Sequence, residues 1–407
     1  MIVVLFVIVL VIARGGQSDS NSSGSDSAPG ESIPPDRDEA DTPAGPGPEL
    51  IGKEIVVGPQ GDFQTINAAL QYVKEYFPIG RAEPQVVKVM GGRTYTEAIE
   101  IDNRTFEFHA KIRLVSGGAK PARLDPQGEG PVIRLISTDD VEIDGFELDG
   151  QDRQVVIELG NYMTGTKLRN LTMDAVSGIG IQGRSIAGTA GEGRLLIENI
   201  VVRGTKGTGI AVSLIAGDST STTSYVSLRG LRIVGPLSEG VLIDDAVVDL
   251  EIRKLIFANL NRGIHFVDGH RLRDVEICNN TFYENDIGII FDTLPDATSD
   301  GLALRRNLFV NSTQSDAIVA DGFDQEKLEQ MLTSQGQPLA RNMTTRSKSD
   351  ANGIDLFSNS GVRGADFAFA SVTASDPAFL APSGTGPAGG LPGGTGDETY
   401  AGAVPPR

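Results

Sequence analysis

Apolar and polar residues alternate in short runs along the middle of this 407-residue chain, and the same run returns about every 25 residues. Each run reads apolar-x-apolar, a polar corner, then apolar-x-apolar, which is the period-two pattern of a β-strand interrupted at one place. A repeat of this length indicates stacked supersecondary units, each of which needs its neighbours to bury its apolar side. The copies lie at 141–148, 167–173, 195–202, 226–234, 250–257, 275–282 and 302–309.

The polar corner of each copy predicts a sharp bend between two short strands. Most corners hold glycine or asparagine, which adopt a left-handed backbone at low cost. Lys254 and Arg306 depart from this preference in two of the copies. The corners that follow it are Gly145, Asn170, Asn199, Gly230 and Asn279.

A glycine-led apolar segment follows most copies and predicts a third strand in each coil. These segments lie at 178–182, 207–213, 239–245, 262–268 and 287–292. Three short strands per coil, each pairing with coils about 4.8 Å above and below, predict an all-β fold, the right-handed parallel β-helix. We favour it over a leucine-rich repeat because the Leu-x-x-Leu-x-Leu signature is absent.

Apolar helices at either end of the repeats predict caps for the β-helix, whose open ends must be covered. Residues 63–77 place apolar side chains on one helical face behind Asp62, which we expect to be the N-cap. Residues 323–332 read as a second helix, and 364–372 as a last apolar closing segment. We therefore assign the β-helix domain to residues 50–380.

The start of this domain resembles the pectin-lyase-like superfamily, and pectinesterases in particular. The segments that carry the resemblance are IVVGPQGDFQTINAAL (55–70) and GGRTYTEAIEI (91–101). The resemblance implies a right-handed parallel β-helix. It does not imply de-esterification, because only Phe291-Asp292-Thr293 is reminiscent of the pectinesterase catalytic segments.

Polygalacturonases of the same superfamily carry an Asp-Asp pair followed by Gly-His-Gly. This chain has Asp244-Asp245 and then Gly269-His270-Arg271, whose third position differs from that pattern. The flanking Asn-x-Asp and Arg-x-Lys motifs are missing as well. We therefore interpret the similarity as coincidence.

Charge and cysteine content narrow the set of partners. The net charge is −19, so we expect no nucleic-acid partner, and an anionic polysaccharide would need cations or a basic patch to approach. Cys278 is the single cysteine, which excludes an intramolecular disulfide. Because it lies in a predicted strand without an activating neighbour, we interpret it as a packed residue rather than a nucleophile.

The two ends of the chain differ from the repeats. Residues 1–13 are wholly apolar but too short to span a bilayer, and they lack the basic region of a secretory signal. We interpret them as a truncated signal or transmembrane segment, the only contact with a membrane that we expect. Residues 14–49 form a Ser/Gly/Pro/Asp-rich linker, and 381–407 a Gly/Pro-rich tail. The domain is thus expected outside the cytoplasm, secreted or membrane-anchored, and monomeric.

Alignment of the third strands on Gly240, Gly263 and Gly288 predicts a polar patch. The first and third positions beyond each glycine are apolar and should point into the core, whereas the second and fourth should point outward. Residues at strand ends add to the outward set. The predicted ligand-binding residues are Asp244, Asp245, His265, Asp268 and Asp292.

Clustered carboxylates raise one another's pKa or attract calcium, and either property serves acid–base chemistry or uronate binding. No cofactor is required by this pattern, although calcium is compatible with it. We expect recognition of a polysaccharide or cell-envelope glycan. The alternatives are a polysaccharide lyase or glycoside hydrolase using the acidic patch, and a structural or sensor domain of a longer membrane receptor.

Overall fold

The computed structural model describes residues 48–78, 80–104, 110–217, 221–332, 338–347, 354–356 and 362–364. The described strands pair only in parallel and form a β-solenoid of about 8 turns, as the repeats predict. Each turn contributes strands to three faces, which we call the first-, second- and third-strand faces in chain order. The predicted right-handed parallel β-helix is therefore confirmed.

The first-strand face contains the strands that precede each polar corner. Their bounds are Ile55–Val57, Gln85–Met90, Ile112–Gly117, Val141–Asp144, Lys167–Arg169, Leu195–Glu198, Thr223–Arg229, Val247–Arg253, Leu272–Cys278 and Ala303–Arg305.

The second-strand face follows the corners. Its separate strands are Thr94–Tyr95, Arg123–Leu124, Glu147–Asp149, Thr172–Val176, Val201–Gly204, Thr281–Tyr283, Leu308–Val310 and Met343–Thr344. Two longer strands, Arg232–Asp244 and Ile256–Phe266, continue from this face onto the third. The remaining third-strand members are Ile99–Asp102, Ile133–Asp139, Val155–Thr164, Ile179–Ala187, Ile210–Ile215, Ile287–Thr293 and Ser315–Asp321.

The corners adopt the left-handed backbone predicted for them. Asn170 has a φ of 52° and Gly230 a φ of 64°. Lys254 and Arg306, which depart from the glycine or asparagine preference, adopt the same conformation with φ of 59° and 56°. Stacking imposes the bend, because each corner N–H donates to the next coil, as Gly230 N does to Arg253 O at 3.0 Å.

The glycines that lead the third strands are required by close packing between coils. A Cβ on Gly263 would lie 2.5 Å from the carbonyl oxygen of Gly288 and 2.6 Å from the Phe282 ring. The rings inside the coil stack in register, with Phe257 and Phe282 at 4.8 Å and Phe282 and Phe309 at 4.7 Å between centroids. Each buried ring contributes about 2 kcal/mol through its removal from water.

Buried polar side chains also stack along the solenoid. Asn280 donates from Nδ2 to Asn307 Oδ1 at 3.0 Å, and Asn307 donates in the same way to Asn342 at 3.2 Å. Cys278 is fully buried beside this stack, and burial raises the pKa of its thiol to about 11. Cys278 is therefore packed as interpreted, but it has a cationic neighbour that the sequence did not reveal, since Arg253 donates from Nε to its Sγ at 3.0 Å.

Two α-helices occur in the described residues, and both match predicted caps. The first, Ile66–Tyr76, buries its apolar face as expected. Its N-cap is Thr65 rather than Asp62, whose Oδ2 instead accepts a hydrogen bond from Val56 N at 2.8 Å. The prediction of Asp62 was wrong because the helix starts later and leaves Asp62 free to fix the preceding turn.

The second helix, Gln325–Met331, begins at the N-cap Asp324 and buries Leu328 and Met331. Neither helix of the described residues is long and apolar enough to cross a bilayer. The segments 1–13 and 381–407 lie outside the described residues, as do 14–47 of the expected linker and 365–372 of the expected closing segment.

Candidate functional site

The third-strand face carries the predicted patch, and its register matches the alignment on glycines. Leu242 pairs with His265, and His265 with Ile290, so these three residues form one column across successive coils. The inward set is buried as predicted, with exposed fractions of 2 % or less: Val241, Ile243, Ile264, Phe266, Ile289 and Phe291. The outward set divides into two clusters and one residue that belongs to neither.

The first cluster places His265 between two carboxylates. Its Nε2 lies 2.9 Å from Asp292 Oδ1, and its Nδ1 lies 3.4 Å from Glu239 Oε1. Arg262 donates to the same Glu239 oxygen at 2.7 Å. His265 and Glu239 are 6 % and 4 % exposed, whereas the Asp292 side chain is 38 % exposed. Asp292 is therefore the end of this cluster that meets solvent.

Two buried atoms of this cluster have no hydrogen-bond partner among the described residues: Glu239 Oε2 and His265 Nδ1. A buried polar atom without a partner costs free energy, so such atoms mark sites with another use. Burial lowers the pKa of His265, but Glu239 and Asp292 outweigh it and hold the pKa above the ordinary 6.5. The hydrogen bond between His265 Nε2 and Asp292 Oδ1 fixes the position of Asp292.

The second cluster joins Asp244 and Asp268 to His270. The Nε2 of His270 lies 3.2 Å from Asp244 Oδ1, and one ligand atom from each residue lies within 4.8 Å of the others. These three residues could hold a metal ion. Calcium prefers oxygen ligands, whereas a set of two carboxylates and an imidazole suits zinc or a similar transition metal better. Calcium binding stays a prediction.

Asp245 does not join the patch, so its inclusion was wrong. It is 1 % exposed, and its Oδ2 accepts a hydrogen bond from the Thr223 hydroxyl at 2.8 Å. The alternation that turns Asp244 outward turns the next residue the opposite way. Burial raises the pKa of the Asp245 carboxyl, and the hydrogen bonds that it accepts lower the pKa by less.

Sequence reasoning also missed Glu239 and Arg262 as members of the first cluster. Both directly precede an aligned glycine, and the register pairs them across neighbouring coils. Extending the alignment by one position before Gly240 and Gly263 would have placed the two side by side. His270 was considered only for its similarity to the polygalacturonase pattern and was not placed in the patch, because it lies in the turn after the strand, where the period-two pattern gives no direction.

Comparisons with known proteins give no relative from which a role can be transferred. No protein-family model matches the chain, no curated protein matches it, and no solved structure matches it. The resemblance to pectinesterases thus stays a local similarity of residues 55–70 and 91–101.

Proposed function

We propose that this protein recognises a glycan, binding an extended saccharide chain across the third-strand face. The observation that carries the proposal is the sequence of outward side chains on successive coils. Asp244 is followed one coil later by His265, Asp268 and His270, and on the next coil by Asp292. A chain molecule lying along the solenoid would meet each of these in turn.

The chemical character of the side chains in the patch supports the same proposal. Carboxylates accept hydrogen bonds from sugar hydroxyls, and apolar side chains pack against the C–H faces of sugar rings. Leu242 and Val267 are half-buried on this face beside Asp244 and Asp268. The patch has little positive charge, so neutral or amino sugars fit it better than uronates.

The position of Arg262 favours binding over lyase chemistry. A lyase needs a basic side chain that can take a proton from the sugar, yet Arg262 is bound to the buried Glu239. The more exposed Asp292 is likewise held by His265. The cluster is built to present a fixed hydrogen-bond acceptor, which is what a recognition surface requires.

Location follows from the chain ends in this proposal. The apolar residues 1–13 would direct the protein out of the cytoplasm. An extracytoplasmic location is consistent with a cell-envelope glycan as the ligand.

The test is a glycan-array measurement on the purified chain with a variant that alters three outward carboxylates. The variant carries Asp244→Asn, Asp268→Asn and Asp292→Asn, which remove charge with little change in volume. A double variant, Asp144→Asn and Asp174→Asn, is the control because its residues lie on the other two faces. Each array is repeated with calcium, with zinc and with a chelator.

We expect wild type and control to bind the same glycans, and the triple variant to lose at least about tenfold in affinity, or 1.4 kcal/mol. Unchanged binding by the triple variant would contradict the assignment to this face. Absence of binding by wild type would reject glycan recognition and favour a structural or sensor role. Release of glycan products would instead indicate the hydrolase or lyase alternative.

A further inference from the structure

A groove of about 550 Å³ lies on the first-strand face, away from the patch described above. It crosses the strands Val247–Arg253, Leu272–Cys278 and Ala303–Arg305. The groove forms because, in two columns of outward side chains, a large residue on one coil is followed by a small residue on the next. Glu276 pairs with Ala303 in one column, and the small Gly301 follows Asp274 in the other.

The walls of the groove are ion pairs that already satisfy one another. Arg229 donates to Glu251 at 2.6 Å, and Arg253 bridges Glu251 at 2.8 Å and Glu276 at 3.0 Å. Arg305 donates from Nε to the other oxygen of Glu276 at 2.9 Å. These charges are neutralised in place, so they give the groove shape and polarity rather than net charge.

Two groups that line the groove retain hydrogen-bonding capacity. Arg194 donates from Nη2 to Asp249 at 2.5 Å, while its buried Nη1 has no partner among the described residues. Asp274 is 67 % exposed, and Arg273 approaches it only to 3.7 Å, which is too long for a hydrogen bond. The groove therefore offers one donor and one acceptor to a ligand.

The charges around the groove cancel. Four guanidinium groups, those of Arg194, Arg229, Arg253 and Arg305, accompany four carboxylates, those of Asp249, Glu251, Asp274 and Glu276. A strongly charged ligand would gain little from such a balanced surface. A neutral ligand that both donates and accepts hydrogen bonds would match it.

We infer that this groove is a second binding site, for a neutral saccharide unit. Sugar hydroxyls can accept from Arg194 Nη1 and donate to the Asp274 carboxylate. The small residues Gly301 and Ala303 leave room for a sugar ring on the floor of the groove. The site is distinct from the third-strand patch.

The experiment measures binding of the purified chain to an array of neutral oligosaccharides. Ala303→Gln fills the floor and should reduce binding at least about tenfold. Asp274→Asn removes the accepting charge on an exposed side chain, so it tests the same site with no risk to folding. Asp144→Asn, on the same face but outside the groove, is the matched control.

Asp292→Asn distinguishes this site from the third-strand face. Neutral saccharide binding that falls in Ala303→Gln and Asp274→Asn but persists in Asp144→Asn and Asp292→Asn supports the groove. Binding that is lost only in Asp292→Asn overturns the inference and leaves the proposed function intact. Binding unaffected by Asp274→Asn, or no binding of any neutral oligosaccharide by wild type, also overturns it.

Discussion

Two carboxylate clusters, one on the first-strand face and one on the third, are held by different cations. On the first face, Glu251 and Glu276 are bridged by Arg253, which stays charged at any pH that a folded protein experiences. On the third face, Glu239 is held by Arg262, whereas Asp292 is held by His265, whose charge depends on pH. The first arrangement is a permanent ladder, and the contact of His265 with Asp292 is conditional.

The carboxylate oxygens of the two clusters also differ in how completely they are paired. Burial would raise the pKa of Glu276, but Arg305 and Arg253 outweigh it and hold that pKa below its ordinary value. Glu239 is more deeply buried, yet its Oε2 has no partner among the described residues. One regular coil can therefore hold a paired carboxylate cluster around Arg253 and an incompletely paired one around His265.

The largest expected effect comes from breaking the ladder at Arg253. Arg253→Met removes the bridge and leaves Glu251 and Glu276 with one cation each, Arg229 and Arg305. We expect the free energy of unfolding to fall by about 2–4 kcal/mol, because partly buried carboxylates lose a partner. Urea unfolding followed by circular dichroism measures this change.

Arg203→Met is the matched control, because the Arg203–Asp174 pair is 43 % and 47 % exposed. Such a pair contributes less than about 1 kcal/mol. Equal destabilisation by the two substitutions would show that the ladder has no special role.

The second prediction distinguishes the two faces by the way in which the free energy of unfolding depends on pH. Because the pKa of His265 is raised in the folded state, its stabilising charge is fully present below the unfolded value of 6.5. That contribution is lost as pH rises through the folded pKa. The free energy of unfolding of wild type should therefore fall from pH 6 upward, and His265→Asn should flatten the profile.

Two further variants make this pH profile specific. His270→Asn, whose 37 % exposed imidazole lies on the same face, should keep the wild-type decline. The deficit of Arg253→Met should be the same at every pH between 6 and 9, since its guanidinium does not titrate there. A profile of wild type that rises through this range would contradict a raised pKa of His265 in the folded state.

Much of the arrangement of the third-strand face could be predicted from the sequence, because the stacking of similar coils makes the register of neighbouring strands predictable. The aligned glycines Gly240, Gly263 and Gly288 correctly placed His265 on the outward column and six apolar residues in the core. Within a strand, alternation alone fixes the side on which each residue lies.

The residues that the alignment misplaced or left out lie at the ends of the strands or beyond them. Asp245 comes one residue after the strand that ends at Asp244, and the chain turns it inward to Thr223. His270 reaches Asp244 from a turn whose path depends on the neighbouring coil. The ion pairs of the ladder could not be predicted either, because the sequence indicates which residues share a column but not which side-chain atoms come into contact.

The smallest effect concerns the corner that ends the first-strand face beside Arg253. Lys254 holds a φ of 59°, which costs a residue with a Cβ about 1 kcal/mol. Lys254→Gly relieves this cost and should raise the free energy of unfolding by at most about 0.6 kcal/mol, after the greater flexibility of unfolded glycine is included.

Gly230→Ala at the preceding corner should do the reverse and cost about 1–2 kcal/mol. Its φ is 64°, and a Cβ there would lie 2.7 Å from Asn199 Oδ1. Both changes leave the ladder atoms in place, so urea unfolding of the two variants measures the backbone contribution by itself. If Lys254→Gly destabilises as much as Arg253→Met, then the corner rather than the ion pairs stabilises this face. A small gain would instead leave the ion pairs as the source of the difference between the two faces.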